Sequence, residues 1–392
     1  MPTRVTTTLA ALVVLASSVV GCAPSLRGTV DHERLLAIVE RDAVLFEPGA
    51  IPEPVVAAVS GHRVVVVGEV HDITHHDAVV GELAVALRPH GFRTLLLEFP
   101  QAESWLLDGY ALGAIDALLP GAERTYGPML ERVRAANAAL APGERIRVRA
   151  IDVNPRLDDF LPPFRGLLQQ LGHPEPLARL VRALEGGDDP VAVIARARAE
   201  VEADEAAFRA AWGDGRYDVV LDALDGEARS AEVRAMRAGA ARDEAREAAM
   251  HAMVDRQLAA APGGAIVNVG LYHAQKARQD GSIDVWLAER LHTASDHARG
   301  SVFSLAVMPA RGEAVIGGRL RAFDVGEDSP ANELLRVVQR VADGAIAFLP
   351  LHDPVFSEER VVVNYLPRLH VGPPKAAFDG FVVLPEVGYA GR

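Results

Sequence analysis

Acidic and imidazole side chains stand at the ends of apolar runs in this chain, and such side chains can perform proton transfer or bind metal ions. Glu69 and His71 follow a run of valines, Glu98 follows a run of leucines, and His273 follows a third apolar run. A histidine held by a carboxylate can act as a general base toward water or a substrate hydroxyl. Two carboxylates and two imidazoles can equally serve as oxygen and nitrogen ligands of a divalent metal. The sequence therefore predicts these four residues as catalytic groups, as metal ligands, or as both.

The apolar runs themselves predict how the four side chains would meet. Short, continuous Val, Leu and Ile runs are typical of strands buried on both faces of a parallel sheet. In an open α/β sheet the carboxyl ends of neighbouring strands share one crevice, so we expect the residues that follow the runs to converge there. A fourth run ends at Asp152 in the same way. The alternative is that these are polar strand ends that hydrogen-bond to loops and carry out no chemistry.

The order of predicted elements indicates an α/β fold. Strand, helix and strand follow one another between residues 63 and 98, which is the pattern of a βαβ unit. Residues 155–246 are dense in Ala, Arg, Asp and Glu, and we interpret them as a largely helical insertion that forms a cap. Further strands are predicted at 301–308, 345–349 and 381–384. The expected architecture is a central, mainly parallel sheet flanked by helices.

The first residues predict export and a lipid anchor. Arg4 precedes an apolar stretch that is too short to span a bilayer, and the stretch ends at Gly21 and Cys22. A small residue before cysteine is similar to the lipobox of bacterial lipoproteins, with Cys22 as the lipidated residue; an ordinary secretory signal is the alternative. We expect residues 1–21 to be the signal peptide, 22–58 the anchor and a tether with one short helix, and 59–392 the folded domain. The predicted location is the cell envelope, at a membrane surface.

Composition excludes several other classes. Cys22 is the only cysteine, so the mature domain has no internal disulfide and no thiolate metal site. A net charge of −13 argues against a nucleic-acid partner, which requires clustered positive charge. The chain also contains no phosphate-binding loop, no Gly-x-Ser-x-Gly elbow and no His-Glu-x-x-His helix. These absences argue against nucleotide, serine-hydrolase and zincin chemistry. Composition does not decide the oligomeric state, so a homodimer is one possible form of the protein.

Five short segments resemble one known superfamily. They are GEVHDITHH at 68–76, LLEF at 96–99, REAAM at 246–250, GLYH at 270–273 and FDGFVVL at 378–384. They are similar to the motifs of the TIKI and erythromycin-esterase-like superfamily, and most similar to its ChaN-type haem-binding lipoproteins. The resemblance leaves most of the middle insertion unmatched. It implies an α/β fold with Glu69, His71, Glu98 and His273 in a pocket and Arg246 close by.

The resemblance allows more than one function. Esterase members of the superfamily hydrolyse a macrolide ring, TIKI members are described as metal-dependent proteases, and ChaN-type members bind haem for iron uptake. The lipobox and the histidine-rich first motif favour a haem-binding envelope lipoprotein, in which His76, Arg246 and Tyr272 would contact the haem. The alternative is a hydrolase, either metal-dependent or catalysed by His and Glu, that acts on esters or peptides. A third possibility is an interaction protein that kept the fold and lost the chemistry.

Overall fold

The apolar runs become adjacent strands of one sheet in a computed structural model, which describes residues 32–278, 283–316, 319–325, 333–358, 363–364, 370–371 and 373–390. The strands are β1 (Val44–Phe46), β2 (Val64–Glu69), β3 (Thr94–Pro100), β4 (Arg147–Asp152), β5 (Ala265–Gly270), β6 (Val302–Pro309), β7 (Arg311–Ile316), β8 (Arg319–Asp324), β9 (Ile346–Pro350), β10 (Val363–Asn364), β11 (His370–Val371) and β12 (Gly380–Leu384).

Helices cover both faces of this sheet. They are α1 (His32–Asp42), α2 (Glu53–Val59), α3 (His76–Leu87), α4 (Ser104–Ala111), α5 (Pro120–Ala138), α6 (Leu157–Gln170), α7 (Glu175–Glu185), α8 (Pro190–Ala203), α9 (Glu205–Trp212), α10 (Asp214–Ala235), α11 (Ala240–Ala260), α12 (Leu287–Thr293), α13 (Glu333–Ala342) and α14 (Pro374–Ala377). Among the described residues no helix is long and apolar enough to cross a membrane.

The main sheet has eight strands in the order β1-β9-β12-β6-β2-β5-β3-β4. The six strands from β12 to β4 are parallel to one another, and β9 alone runs in the opposite direction, because it is antiparallel to both β12 and β1. Residues 64–67 of β2 are fully buried, as expected for a central strand covered on both faces. The predicted α/β class, with its mainly parallel sheet, is confirmed. The carboxyl ends of β2, β5, β3 and β4 are consecutive along one edge.

The predicted helical insertion forms a cap with a core of its own. Helices α6 to α10 bury a separate apolar cluster that includes Phe160, Phe164 and Tyr217. The cap is joined to the sheet by the side chain of Asn154, just beyond β4, which donates to Glu227 of α10 at 2.9 Å. Helix α11 then returns from the cap to the edge of the sheet. The cap is therefore fixed at a position next to the strand ends.

The structure moves the predicted start of the domain from residue 59 to residue 32. Helix α1 buries Leu35, Ile38 and Val39 in the main core, and β1 pairs antiparallel with β9. The one short helix expected in the tether is present as α1, whereas β1 is not expected, because a strand of three residues carries almost no periodic signal. The β7–β8 hairpin was missed as well, since four of the six residues of β8 are exposed. Cys22, the lipobox and the signal peptide lie outside the described residues.

Candidate active site

Glu69 and His71 form a hydrogen-bonded pair at the carboxyl end of β2. Nδ1 of His71 lies 2.8 Å from Oε1 of Glu69. The glutamate side chain is buried, whereas 60% of the His71 side chain is exposed. The remaining ring nitrogen, Nε2, has no hydrogen-bond partner among the described residues. The carboxylate thus fixes the orientation of the imidazole and leaves one of its nitrogens facing the crevice.

The His71 ring lies against Gly270, the last residue of β5. A Cβ built on Gly270 would fall 2.7 Å from Nε2 of His71 and 3.4 Å from Oε2 of Glu98. Such a contact to Nε2 is closer than carbon and nitrogen tolerate, so only glycine leaves room for the imidazole here. Gly270 also donates its backbone N–H to Oε2 of Glu98 at 2.6 Å. Glycine therefore brings His71 and Glu98 together across the strand between them.

Arg246, on α11, lies between two carboxylates. Its Nη2 donates to Oε1 of Glu98 at 2.5 Å and to Oδ2 of Asp152 at 2.7 Å, and its Nε donates to Oδ1 of Asp152 at 2.8 Å. Paired hydrogen bonds of this kind are the strong geometry for guanidinium and carboxylate. Helix α11 is thereby attached to the ends of β3 and β4. Arg246 lies close to the pocket residues, as the resemblance implied, and its partners are Glu98 and Asp152.

His273 is buried and surrounded by charge just past β5. Its Nε2 lies 3.2 Å from Oε1 of Glu98, and its Nδ1 lies 2.5 Å from Oε1 of Glu247. The edge of its ring meets Trp286, with 5.5 Å between the ring centroids. Both nitrogens of His273 therefore face carboxylates, so its ring serves as a cation that balances them rather than as a free base.

Charge pairing shifts the pKa values of these groups strongly. The hydrogen bond to Glu69 raises the pKa of His71 to about 9, although burial acts in the opposite direction. Burial lowers the pKa of His273, but Glu98 and Glu247 outweigh it and raise that pKa to about 10. Burial alone would raise the pKa of Glu69, yet hydrogen bonds from His71 and His76 lower it to about 2. At neutral pH the two histidines are cations and Glu69 is an anion.

Glu98 is ionised for a similar reason. Burial by itself raises the pKa of Glu98, but the neighbouring cations His273 and Arg246 hold it well below its usual range. The carboxylates of Asp152 and Glu98 keep Arg246 fully charged, because they raise the pKa of its guanidinium although burial lowers it. The crevice is therefore lined by balanced and fixed charges, which is the arrangement that stabilises charge developing in a reaction.

His76, predicted as a haem contact, points inward. Only 2% of its side chain is exposed, and its Nε2 lies 2.8 Å from Oδ1 of Asn268 and 3.1 Å from Oε2 of Glu69. Asn268 in turn donates to Oε2 of Glu69 at 3.2 Å. His76 and Asn268 thus hold the second oxygen of the glutamate whose first oxygen holds His71.

The structure divides the four predicted metal ligands into two pairs, Glu69 with His71 and Glu98 with His273. In the part of the chain that the structure describes, the one group of three or more His, Asp or Glu donors within 4.8 Å of one another is Glu69, His76 and Asp77. The predicted set of four is not gathered to that spacing, because Arg246 and the Gly270 N–H already hold the oxygens of Glu98.

Tyr272, predicted as a haem contact, stacks on Trp286 with 5.4 Å between the ring centroids. It stands next to His273 at the crevice, so it is a neighbour of the site. Its predicted role toward haem stays a prediction.

Sequence reasoning missed two residues of the site, Glu247 and Asn268, and it placed Asp152 at the crevice without a partner. Asp152 had been noted as a strand end, but its role as a partner of Arg246 depends on where α11 crosses the sheet. Asn268 carried a usable signal, since an amide within the otherwise apolar run of β5 must find a buried partner. Glu247 follows Arg246 on a helix rich in charge, where no pattern distinguishes an inward carboxylate from an outward one.

Comparisons with known proteins bear on the fold. A scan against protein-family models and a search of curated proteins both find no match. Among solved structures the chain is similar to a Bacillus cereus structural-genomics protein, with 16% identity, a TM-score of 0.68, and coverage of 92% of this chain and 98% of that one. It is also similar to a succinoglycan biosynthesis protein, with 12% identity, a TM-score of 0.67, and coverage of 91% and 97%.

A third similar structure is a mutant of the erythromycin esterase EreC in its open conformation. The identity is 14%, the TM-score is 0.62, and the match covers 86% of this chain and 94% of that one. At such identities the likeness establishes the fold alone. These structures support the erythromycin-esterase-like fold that the resemblance implied, while membership of the superfamily and the ChaN-type assignment stay predictions. The chain therefore has an erythromycin-esterase-like α/β fold.

Proposed function

We propose that this protein is a hydrolase that cleaves esters, with His71 as the general base and Glu69 as the residue that orients it. The observation that carries the proposal is the 2.8 Å bond from His71 Nδ1 to Glu69 in a side chain that is otherwise 60% exposed. A buried carboxylate behind an imidazole, with the far nitrogen open to solvent, is the arrangement that activates a nucleophile. The erythromycin-esterase-like fold supports the same reading.

The reaction follows from the positions of the charges. Nε2 of His71 takes a proton from water, and the resulting hydroxide attacks the ester carbonyl carbon while Glu69 stabilises the imidazolium. The negative oxygen of the tetrahedral intermediate is stabilised by the positive charge of Arg246, whose side chain is 31% exposed at the same edge. When the intermediate collapses, the imidazolium returns its proton to the leaving alkoxide. No residue becomes covalently attached to the substrate.

This role for His71 has a consequence for pH. Because its pKa is raised to about 9, only a minor fraction of His71 is neutral at pH 7. The neutral form is the one that accepts a proton, so the rate rises with pH until His71 is deprotonated. An alkaline optimum is therefore expected for the proposed esterase.

The test is hydrolysis of a panel of aryl, alkyl and lactone esters by purified protein. His71→Gln removes the base and is expected to lower kcat/KM by about 100- to 10,000-fold. His90→Gln is the matched control, because His90 is an exposed histidine in the short 3-10 helix before β3, at the end of that strand opposite to Glu98. Wild-type protein that cleaves none of these esters, or a His71→Gln variant as active as the control, would reject the proposal.

Membrane anchoring through Cys22 forms part of this proposal and comes from the sequence alone. Its test is metabolic labelling with a radioactive fatty acid, which should mark the wild-type chain and leave Cys22→Ser unlabelled. Haem binding stays a prediction from the family resemblance. Its test is titration with haemin, where an unshifted Soret band would count against it.

A further inference from the structure

A small cavity lies beside Glu69, between the loop after β2, the start of α3 and helix α5. Its volume is about 10 Å³, which is the space that one water molecule or one ion occupies. The side chains that line it include Glu69, Asp72, His76, Asp77, Arg124 and Thr125. Most of the polar lining is therefore acidic or imidazole, and neither the resemblance nor the proposed reaction assigns it a role.

Three of these residues are already gathered as ligands would be. Glu69, His76 and Asp77 each offer one donor atom, and these atoms all lie within 4.8 Å of one another. Donors around a tetrahedral ion bonded at about 2.1 Å lie roughly 3.4 Å apart, so the three side chains must move closer by up to roughly 1.4 Å to reach bonding distance. No other group of this kind exists among the residues whose structure is described.

His76 supplies an independent reason to expect an ion. Its Nε2 lies 2.8 Å from the amide oxygen of Asn268, whereas Nδ1 is buried and has no hydrogen-bond partner. A metal-ligating histidine has this appearance, with one nitrogen held by a fixed partner and the other available for the ion. Buried polar atoms without partners are rare in native proteins, and a bound cation would satisfy this one.

The loop that delivers these ligands is held in place by the last described residues of the chain. Ala390 donates its N–H to the carbonyl of Asp72 at 2.8 Å, and Gly388 donates to Oγ1 of Thr74 at 2.7 Å. Asp72 and His75 adopt left-handed backbone with φ of 59° and 73°. This conformation is unfavourable for residues with a Cβ. The ligand set therefore sits on a fixed loop.

We propose that Glu69, His76 and Asp77 bind one divalent transition-metal ion in this cavity. One imidazole nitrogen with two carboxylate oxygens suits zinc or manganese, whereas magnesium and calcium favour oxygen donors alone. The ion would share Glu69 with His71, whose bond is to Oε1. Oε2 of Glu69 now lies 3.1 Å from Nε2 of His76, so binding through the unpartnered Nδ1 requires the Glu69 carboxylate to rotate toward that nitrogen. The site goes beyond the proposed esterase activity and does not depend on it.

The experiment measures metal binding to the chelator-treated protein rather than catalysis. Calorimetric titration with Zn²⁺ and with Mn²⁺ is expected to give about one equivalent of at least one of them, with a rise in Tm on loading. Co²⁺ should give visible d–d absorption in the wild type, and the variants Asp77→Asn and His76→Gln should lack it. Asp77→Asn keeps the size of a partly exposed side chain and is expected to raise Kd by at least about 100-fold. His76→Gln should do the same.

The control is His75→Asn, which changes the adjacent, exposed histidine to a residue that tolerates left-handed backbone. It should bind the ion as the wild type does. If His76→Gln does not fold, Asp77→Asn decides the question alone. Wild-type protein that binds neither ion, or an Asp77→Asn variant that binds as tightly as wild type, would overturn the proposal. Loss of binding in His273→Gln but not in Asp77→Asn would do so too, because the ion would then lie in the crevice.

Discussion

Arg246 donates to Glu98 at 2.5 Å although the two residues are 148 positions apart in the chain. The guanidinium comes from α11, the helix that leads back from the cap, and the carboxylate comes from the end of β3. The same guanidinium binds Asp152 at the end of β4. One side chain therefore holds the cap next to the strand ends and balances the charge beside the proposed base.

Removal of this cation should destabilise the fold. Arg246→Gln leaves the carboxylates of Glu98 and Asp152 buried without a full counter-charge, which is expected to lower the free energy of unfolding by about 3–5 kcal/mol. Arg246→Lys keeps the positive charge but loses the paired hydrogen bonds of the guanidinium. Its free energy of unfolding should therefore lie between those of Arg246→Gln and the wild type. Urea denaturation, monitored by circular dichroism, measures the free energy of unfolding of both variants. A change of less than about 0.5 kcal/mol in Arg246→Gln would mean that the ion pairs are not structural.

Gly270→Ala should separate activity from stability. The new methyl group would meet the tip of the His71 ring, and a flexible side chain can rotate away while the strand keeps its conformation. Displacement of the base by about 1 Å is expected to lower kcat/KM by roughly 100-fold, with little change in Tm. Ester hydrolysis and thermal unfolding of the same preparation test this. Full activity in Gly270→Ala would show that the contact with Gly270 does not position His71.

Glu103, which lies away from the site, should make the stability of the protein depend on pH. Burial and the charge of Asp159 raise its pKa from 4.5 to about 7, and its Oε2 is buried without a hydrogen-bond partner. Since the folded state binds the proton more tightly, stability falls as pH rises from about 4.5 to about 7. Glu103→Gln has no carboxyl group to ionise, so its stability should not fall in this way. Its Tm should be about 2 °C above that of the wild type at pH 8 and equal to it at pH 4. An equal effect at both pH values would assign the change to packing instead.

Much of the site could be predicted because it depends on topology. Continuous apolar runs specify parallel strands, and parallel strands place their carboxyl ends along one edge, so Glu69 and Glu98 lie at the same edge whatever the details of the loops. The pairing of His71 with Glu69 follows from their separation by two residues at a strand end.

Other features depend on packing that no local pattern records. His76 turns inward because Asp72 and His75, in the loop before α3, adopt left-handed backbone conformations. No pattern in the sequence predicts these conformations. The partners Glu247 and Asp152 depend on how α11 crosses the sheet after the cap. The edge strand β1 is too short to show alternation, so its place in the sheet is decided by its pairing with β9.

The pH dependence of kcat/KM for ester hydrolysis tests the account most directly, in wild-type protein and in Glu69→Gln, both treated with chelator so that no ion contacts Glu69. Loss of the carboxylate removes the main cause of the raised pKa of His71, which is about 9 in the wild type, and should move it toward 6.5. The account predicts a wild-type rate that rises until about pH 9, and a slower variant whose rate levels off at lower pH. A profile in which the rise occurs at the same pH in both proteins would contradict the assignment of His71 as the base that Glu69 orients.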